Sequence, residues 1–381
     1  MFRNYFKTAW RNLMRNKFYS FINIAGLTIG LTVGLLILLW VQDEFGYDSF
    51  HKNARNIIKV ENMVATGSNR QLWTNTAAPI GVMAKQQIPG VKDVVRITGN
   101  NFYRLFRYNN KVFNDQRNFF TDASFFSVFD FKIIKGNPTN PFPDNNSVVI
   151  TQSTAKKYFG RDDPINKIIT ADDSVRFKVI GVINDFPKNP SIQGDMIFPI
   201  SLLAAKRYTG NTEGRSIDND FVQFDFDTYL LLQPGFSFNG FAKKLRDMHL
   251  SVKPDDTDVG YVWLAFEKIH LYHSDGSEGG RGTVLMFMII AILILIIACI
   301  NYVNLSTARS MLRSKEVSLR KIVGAAKLQL FMQFIIETTV LFIFAIIIAL
   351  VLIYFLLPLF NQVSGKSIVI NLADYHIWEI I

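Results

Sequence analysis

The stretch "TVLMFMIIAILILIIACINYV", residues 283 to 303, runs for 21 residues without a single Asp, Glu, Lys or Arg. At about 1.5 Å per helical residue it matches the roughly 30 Å of a bilayer's hydrocarbon core. A helix on the surface of a soluble domain would keep one polar face, and this one has none. Two more stretches read the same way: residues 21 to 41 ("FINIAGLTIGLTVGLLILLWV"), again uncharged, and residues 330 to 357. The composition agrees, with 49% hydrophobic residues, 34 Phe and a mean hydropathy of +0.17. The fold class that follows is a membrane protein, with α-helical transmembrane spans and one large domain between the first two.

The net charge of +10 could point to nucleic acid, so its placement matters. Residues 1 to 20 hold five basic groups (Arg3, Lys7, Arg11, Arg15, Lys17) and no acid. Residues 304 to 328 hold six (Arg309, Arg313, Lys315, Arg320, Lys321, Lys327) against Glu316. The long stretch 42 to 282 is close to neutral, with 29 basic and 27 acidic groups. The excess therefore flanks the spans, where it sets orientation by the positive-inside rule, and it argues against nucleic acid. Both flanks give one topology. Residues 1–20 form a basic cytoplasmic segment, 21–41 the first span, 42–282 an outer domain and 283–303 the second span. Residues 304–329 return to the cytoplasm, 330–357 form the third span, and 358–381 are an external loop with the possible start of a fourth. The apolar core of residues 21–41 is too long for a cleaved signal peptide, and no small-x-small site precedes "QDEF". The one cysteine, Cys299, lies inside the second span, so the outer domain has no disulfide. At about 240 residues it is large enough to bury a core without one.

The outer domain reads as α+β. "VRFKVIGVI" (175–183) and "FVQFDFDTYLLL" (221–232) alternate like strands with one buried face. "TQSTAKKYFG" (151–160) predicts a short helix closed by Gly160, and "GFAKKLRDMHL" (240–250) predicts another. "HSDGSEGGRGT" (273–283) reads as a flexible joint into the second span.

Little in this domain carries chemistry. Asp162 and Asp163, and Asp172 and Asp173, are acidic pairs in turns, short of the oxygen ligands that calcium needs. His270 and His273 lack a third metal ligand and read as a surface loop. "GNTEGRS" from 210 resembles a phosphate loop, but it has three residues between its glycines rather than four and Arg215 in place of the lysine. The chain has no ATPase motif and is not read as an enzyme.

In the spans, Gly26, Gly30 and Gly34 recur at every fourth residue of the first, a strip on which another helix can approach closely. Glu337 sits about two turns into the third, with Gln333 one turn before it. A carboxylate there must face protein or reach the interface, so both residues read as helix-packing groups rather than a proton relay. In "RSKEVSLRKIVGAAKLQL" (313–330), Leu319, Ile322, Val323, Ala326 and Leu330 fall on one helical face, and Arg313, Arg320 and Lys321 lie mostly elsewhere. Ser314 could cap this helix and Gly324 interrupts it. A passive connector needs only a few residues. This length predicts either a helix lying in the headgroups or, the better reading, a docking element.

"NYVNLSTARSMLRSKEVSLRKIVGAAKLQLFMQFIIETTVL" resembles the signature of the MacB/FtsX-type permeases of ABC transporters. Glu316, Arg320, Lys321, Gly324 and Ala325 fill its Glu-x-x-x-Arg-Lys-x-x-Gly-Ala pattern, and Gln333 and Glu337 fill its Gln-x-x-x-Glu pattern. "YDSFHKNARNIIKV", "NSVVITQSTAKKYFGRDDPINKIIT" and "FKVIGVINDFPKNPSIQGDMIFPIS" are similar to a MacB-like periplasmic core. The resemblance implies an inner-membrane permease with a periplasmic domain of two subdomains. It implies a cytoplasmic ABC ATPase that binds ATP and Mg and docks on Arg313, Glu316, Leu319, Arg320, Lys321, Gly324 and Ala325. Permease units of this kind pair as a dimer or pseudo-dimer, and a periplasmic adaptor or enzyme can join them. The family has a fourth span, so the resemblance also implies that residues 1–381 are the N-terminal part of a longer permease. The job is then export or mechanotransmission, including lipoprotein release. The rival of another class is a membrane-anchored ligand sensor, which would carry a cytoplasmic signalling domain.

Overall fold

The computed structural model describes residues 17–67, 69–115, 117–187, 189–210, 214–277, 279–312 and 327–369, together with Arg11, Met14 and Ile322. In chain order the helices are α1 (Lys17–Phe45), α2 (Ala78–Gln87), α3 (Phe125–Val128), α4 (Gln152–Phe159), α5 (Ile200–Arg207), α6 (Phe241–Val252), α7 (Arg281–Leu312) and α8 (Lys327–Ser364). The strands are β1 (Ile57–Thr66), β2 (Asn69–Trp73), β3 (Thr76–Ala77), β4 (Val91–Thr98), β5 (Leu105–Tyr108), β6 (Lys111–Asn114) and β7 (Asn118–Thr121). They continue as β8 (Ile133–Gly136), β9 (Ser147–Thr151), β10 (Ile168–Ala171), β11 (Val175–Ile183), β12 (Met196–Pro199), β13 (Phe224–Leu232) and β14 (Val259–Ala265). Two compact units result: one holds α1, α7 and α8, and the other is Gly46–Gly280.

Among the described residues, the helical unit contains three helices long and apolar enough to cross a membrane, over Ser20–Phe45, Arg281–Leu305 and Phe334–Ser364. The third runs seven residues past the end expected at 357 and passes straight through Pro358. A proline inside a helix removes one hydrogen bond and costs about 3 kcal/mol in water. Here Leu357 and Phe360, on either side of it, pack against Leu35, Leu36 and Ile353, which repays continuing the helix.

In the second unit the strands follow one hydrogen-bonded path, β14-β1-β13-β4-β7-β12-β9-β11-β10-β5-β6, with β2, β3 and β8 at its sides. Pairing is antiparallel except for β9 with β11 and β7 with β12. These central strands show why the path does not break in the middle. In β9, "SVVIT", every residue is buried, because Val148 and Ile150 feed one core and Val149 feeds the other. The same division holds in β12, with Met196 and Phe198 on one side and Ile197 on the other. A strand covered on both faces reads as an unbroken apolar run rather than an alternation. The two subdomains expected from the resemblance are thus two ends of one unit. At one end Tyr103, Phe106, Phe177 and Phe198 pack ring on ring. At the other, α2 and α6 cover Ile58, Val60, Leu230 and Leu232.

Local chemistry fixes the short helices. Thr151 accepts from the Thr154 backbone N–H and so caps α4, whose far end stops at Gly160 with φ +66°. The stretch 273–277, expected as a flexible joint, is instead held down: the Ser274 hydroxyl donates to Glu61, and Asp275 accepts from both the N–H and the hydroxyl of Ser277. Its glycines gave the sequence reading, but the bonds come from β1 and from an Asx turn.

One buried ion pair joins β4 to the rest. Arg96, 6% exposed, makes a two-bond pair with Asp122 at 2.8 and 3.0 Å and donates to Asp218 at 3.2 Å. Replacing Asp122 by Asn leaves the buried guanidinium only the more exposed Asp218 as a carboxylate partner, which costs about 2–3 kcal/mol, less than stranding it outright. Urea unfolding of the Asp122→Asn chain is expected to show that loss, with an unchanged denaturant slope.

Candidate functional site

The residues expected to dock an ATPase, Arg313, Glu316, Leu319, Arg320, Lys321, Gly324 and Ala325, lie outside the described residues. The backbone of Gln333 belongs to α8, but its side chain is also outside them. The structure does describe two other places: the packing of the three long helices, and the segments by which the chain enters and leaves the Gly46–Gly280 unit, here termed its base.

Gly26, Gly30 and Gly34 all face α7. A Cβ built on Gly30 would come within 2.5 Å of the Ala298 Cβ, and one on Gly34 within 2.8 Å of Leu295. One on Gly26 would lie 3.2 Å from the Asn301 amide nitrogen. The partner numbers fall as the glycine numbers rise, so the two helices are antiparallel. The absent side chains are what let the backbones approach. On its other side α1 meets α8: Leu27 packs with Val340, Leu341 and Ala345, and the Thr28 hydroxyl donates to the Ala345 carbonyl at 3.4 Å. Glu337 is 6% exposed, so it faces protein rather than lipid. Beyond the apolar contacts, Lys366 holds Glu44 at 2.7 Å and Asp43 at 3.3 Å, all three largely buried. Backbone bonds on both sides of the Asn361 amide, to the N–H and carbonyl of Ile368, hold the loop that carries Lys366. Outward, α7 leaves Ile289, Leu293, Ile297 and Ile300 bare, as hydrocarbon allows.

The base of this second unit is built from "GYDSFHKN", residues 46 to 53. Asp48 has φ +56°, a left-handed conformation that Asp tolerates better than most side chains. This turns its carboxylate inward, where it is 1% exposed. Oδ1 accepts from the Ser191 N–H at 2.8 Å and Oδ2 from the Ser191 hydroxyl at 2.5 Å, while the Asp48 N–H donates to the Asn189 carbonyl. Burial lifts this carboxyl above its ordinary value, against the two Ser191 bonds. Three residues on, His51 is 5% exposed, and its Nδ1 lies 2.8 Å from the Phe129 carbonyl. Phe50, Phe129, Phe131 and Phe266 surround its ring at 4.1 to 5.5 Å. Tyr47 stacks flat on His270, with ring centroids 3.4 Å apart.

Eight residues at the entry of the unit thus grip segments 129–131, 189–191 and 266–270, and the last of these leads to its exit. The Asp48 carboxylate takes both the hydroxyl and the backbone N–H of Ser191, so this contact fastens the entry turn to segment 189–191. Among the described residues no group of three or more His, Cys, Asp or Glu could hold a metal ion. The sequence reading missed Asp48, His51 and Ser191 as partners, and it placed His270 on a plain surface loop. The only signal was an unusual density of aromatic and polar residues right after an apolar span.

Comparison with known proteins places the chain. Residues 20–248 match the MacB-like periplasmic core domain and residues 288–381 the FtsX-like permease C-terminal region, so the chain belongs to the MacB/FtsX-type permease family of ABC transporters. Neither matched region is an ATPase domain. Among its relatives is the macrolide export ATP-binding/permease protein MacB of Haemophilus ducreyi, 27% identical over 238 residues, which are 61% of this chain and 31% of that protein. Another is the protein of the same name from Mannheimia succiniciproducens, 23% identical over 341 residues, 87% of this chain and 49% of that one. This chain therefore spans about half the length, or less, of the relatives it matches. Among solved structures it is similar to the periplasmic region of MacB from Actinobacillus actinomycetemcomitans, at 17% identity and a TM-score of 0.39, over 57% of this chain and 91% of that one.

Three substitutions probe this geometry. Gly30→Val has no flexible neighbour to displace, since Ala298 Cβ is fixed to its backbone, and is expected to cost about 1–3 kcal/mol. Gly34→Ala meets Cδ2 and Cγ of Leu295 at 2.8 and 2.9 Å, a side chain that can rotate aside as a backbone-fixed Cβ cannot, and should cost less; thermal unfolding of the two chains in the same detergent compares them. Ser191→Ala removes one of the two donors to a buried carboxylate and is expected to lower stability by about 1–3 kcal/mol. The same thermal scan reads it.

Proposed function

We propose that this chain is the permease part of an inner-membrane ABC assembly whose ATP hydrolysis occurs on a separate cytoplasmic ATPase. The observation that carries the reading is the family match on both sides of the second span: a MacB-like core ahead of it and an FtsX-like permease region behind it. The N-terminus lies in the cytoplasm and residues 46–280 in the periplasm, supported by the basic flanks at 1–20 and 304–328. ATP and Mg belong to the ATPase. It docks on residues 304–329, with Glu316, Arg320 and Lys321 in contact, and its closure tilts the spans. The permease works as a dimer or pseudo-dimer of such units. Relatives named for macrolide export support outward movement of a compound as the output. The fastening of entry and exit segments at the base favours a second output, mechanical actuation of a periplasmic adaptor or enzyme, because such a base passes displacement on instead of absorbing it.

Charge reversal at Arg320 tests the docking. In membranes holding the chain and its ATPase, Arg320→Glu is expected to leave insertion and basal ATP hydrolysis in place and to reduce export or periplasmic actuation at least tenfold. Coupling at the wild-type level in that variant overturns the docking assignment.

A further inference from the structure

The base of the outer unit holds a group that the permease reading does not use. A backbone carbonyl can only accept, so Nδ1 of His51 carries the proton it shares with Phe129. Nε2 is then a bare lone pair, buried and without a hydrogen-bond partner. Its walls are the rings of Phe50, Phe129, Phe131 and Phe266, none of which offers an acceptor. A second proton on this imidazole would place an N–H where no oxygen or nitrogen accepts it, and a buried charge that the nearby carboxylates only partly offset.

We propose that His51 is a proton-operated latch: protonation at Nε2 drives the imidazole out of its aromatic cage and frees residues 46–52 from segments 129–131 and 266–270. The charged groups that face His51 are Asp48, in its own turn, and Asp130, from the segment that supplies the carbonyl. His270 faces Asp48 from the exit segment. Burial pushes the imidazole below its ordinary value, and the Phe129 bond and the two carboxylates oppose that push without overcoming it. The contribution of neutral His51 to stability is therefore complete above the ordinary histidine value of about 6.5 and is lost as pH falls below it. Asp48 acts in the opposite sense. Its raised value means that acid relieves the cost of burying the carboxylate, so a release provoked by acid cannot come from Asp48. A domain on the outer face of a membrane meets the pH of its surroundings, and this latch would let that pH set how tightly entry and exit segments are held.

The latch is a regulation of the base that the permease reading uses to pass displacement, and it rests on that reading for its purpose but not for its chemistry. Its test uses the full chain in lipid nanodiscs without any ATPase, so that failure here and failure of the Arg320→Glu test are separate results. The chain has five histidines, so a spectrum of carbon-13-labelled imidazoles is assignable, with His51→Phe identifying the signal of interest. Hydrogen exchange of residues 46–52 is followed in parallel from pH 7.5 to 4.5. Expected is a His51 midpoint below that of an exposed histidine, at least a tenfold gain in exchange beyond the intrinsic pH effect at the same midpoint, and loss of that gain in His51→Phe. The proposal is overturned if His51 does not titrate in this range, if exchange stays flat while it titrates, or if His51→Phe keeps the pH dependence. Should that variant fail to fold, the coincidence or separation of the two midpoints in the unaltered chain decides.

Discussion

The close approach of α1 and α7 at Gly30 and Ala298 is the constraint on which the helical unit depends. In hydrocarbon, apolar side chains gain nothing by leaving lipid for one another, so association has to come from backbone proximity and shape. A Cβ at Gly30 would lie 2.5 Å from that of Ala298, a separation that no substituted residue could hold. The three glycines make α1 a flat rail for α7, and its opposite side is left to carry Leu27, Leu35 and Leu36 towards α8. The first helix is thereby the centre of the bundle, with a different kind of contact on each side.

Residues 46–280 are inserted in the chain between these two packed helices, and an inserted domain is easiest to build when its ends lie together. The outer unit meets that condition through Tyr47 on His270, His51 against Phe266, and Ser274 on Glu61. These are neither charge pairs on the surface nor a simple apolar core. They combine buried polar groups with aromatic walls, an arrangement that is costly if any part is left unpaired and well defined when all parts are present. In the function proposed above, such a base would pass displacement on instead of absorbing it.

Much of the fold was legible because the signals are local. An uncharged run of 21 residues announces a span, "VRFKVIGVI" announces β11 over Val175–Ile183, and Gly160 announces the end of α4. The strip of glycines could be read from spacing alone, though its partner could not. Strands such as β9 and β12 carry no alternation because both faces are buried, so their place in the sheet was hidden. The base was hidden for a different reason: Asp48 and Ser191 are 143 residues apart, and nothing in either stretch says that the other is its partner. The glycines of 273–283 misled, since they signal backbone freedom but say nothing about the Glu61 carboxylate that holds Ser274. The segment 313–325 is the reverse case: its motif leads to the expectation of an ATPase dock, yet nearly all of it lies outside the described residues.

The central claim is that movement made in the cytoplasm reaches the outer unit through the spans. Electron-spin distance measurement, with labels at Lys17 and Val252 in the chain purified with its ATPase in nanodiscs, addresses it most directly. The account predicts that adding ATP and Mg shifts the distance distribution and that nucleotide removal restores it. An unchanged distribution during steady ATP hydrolysis would contradict the account.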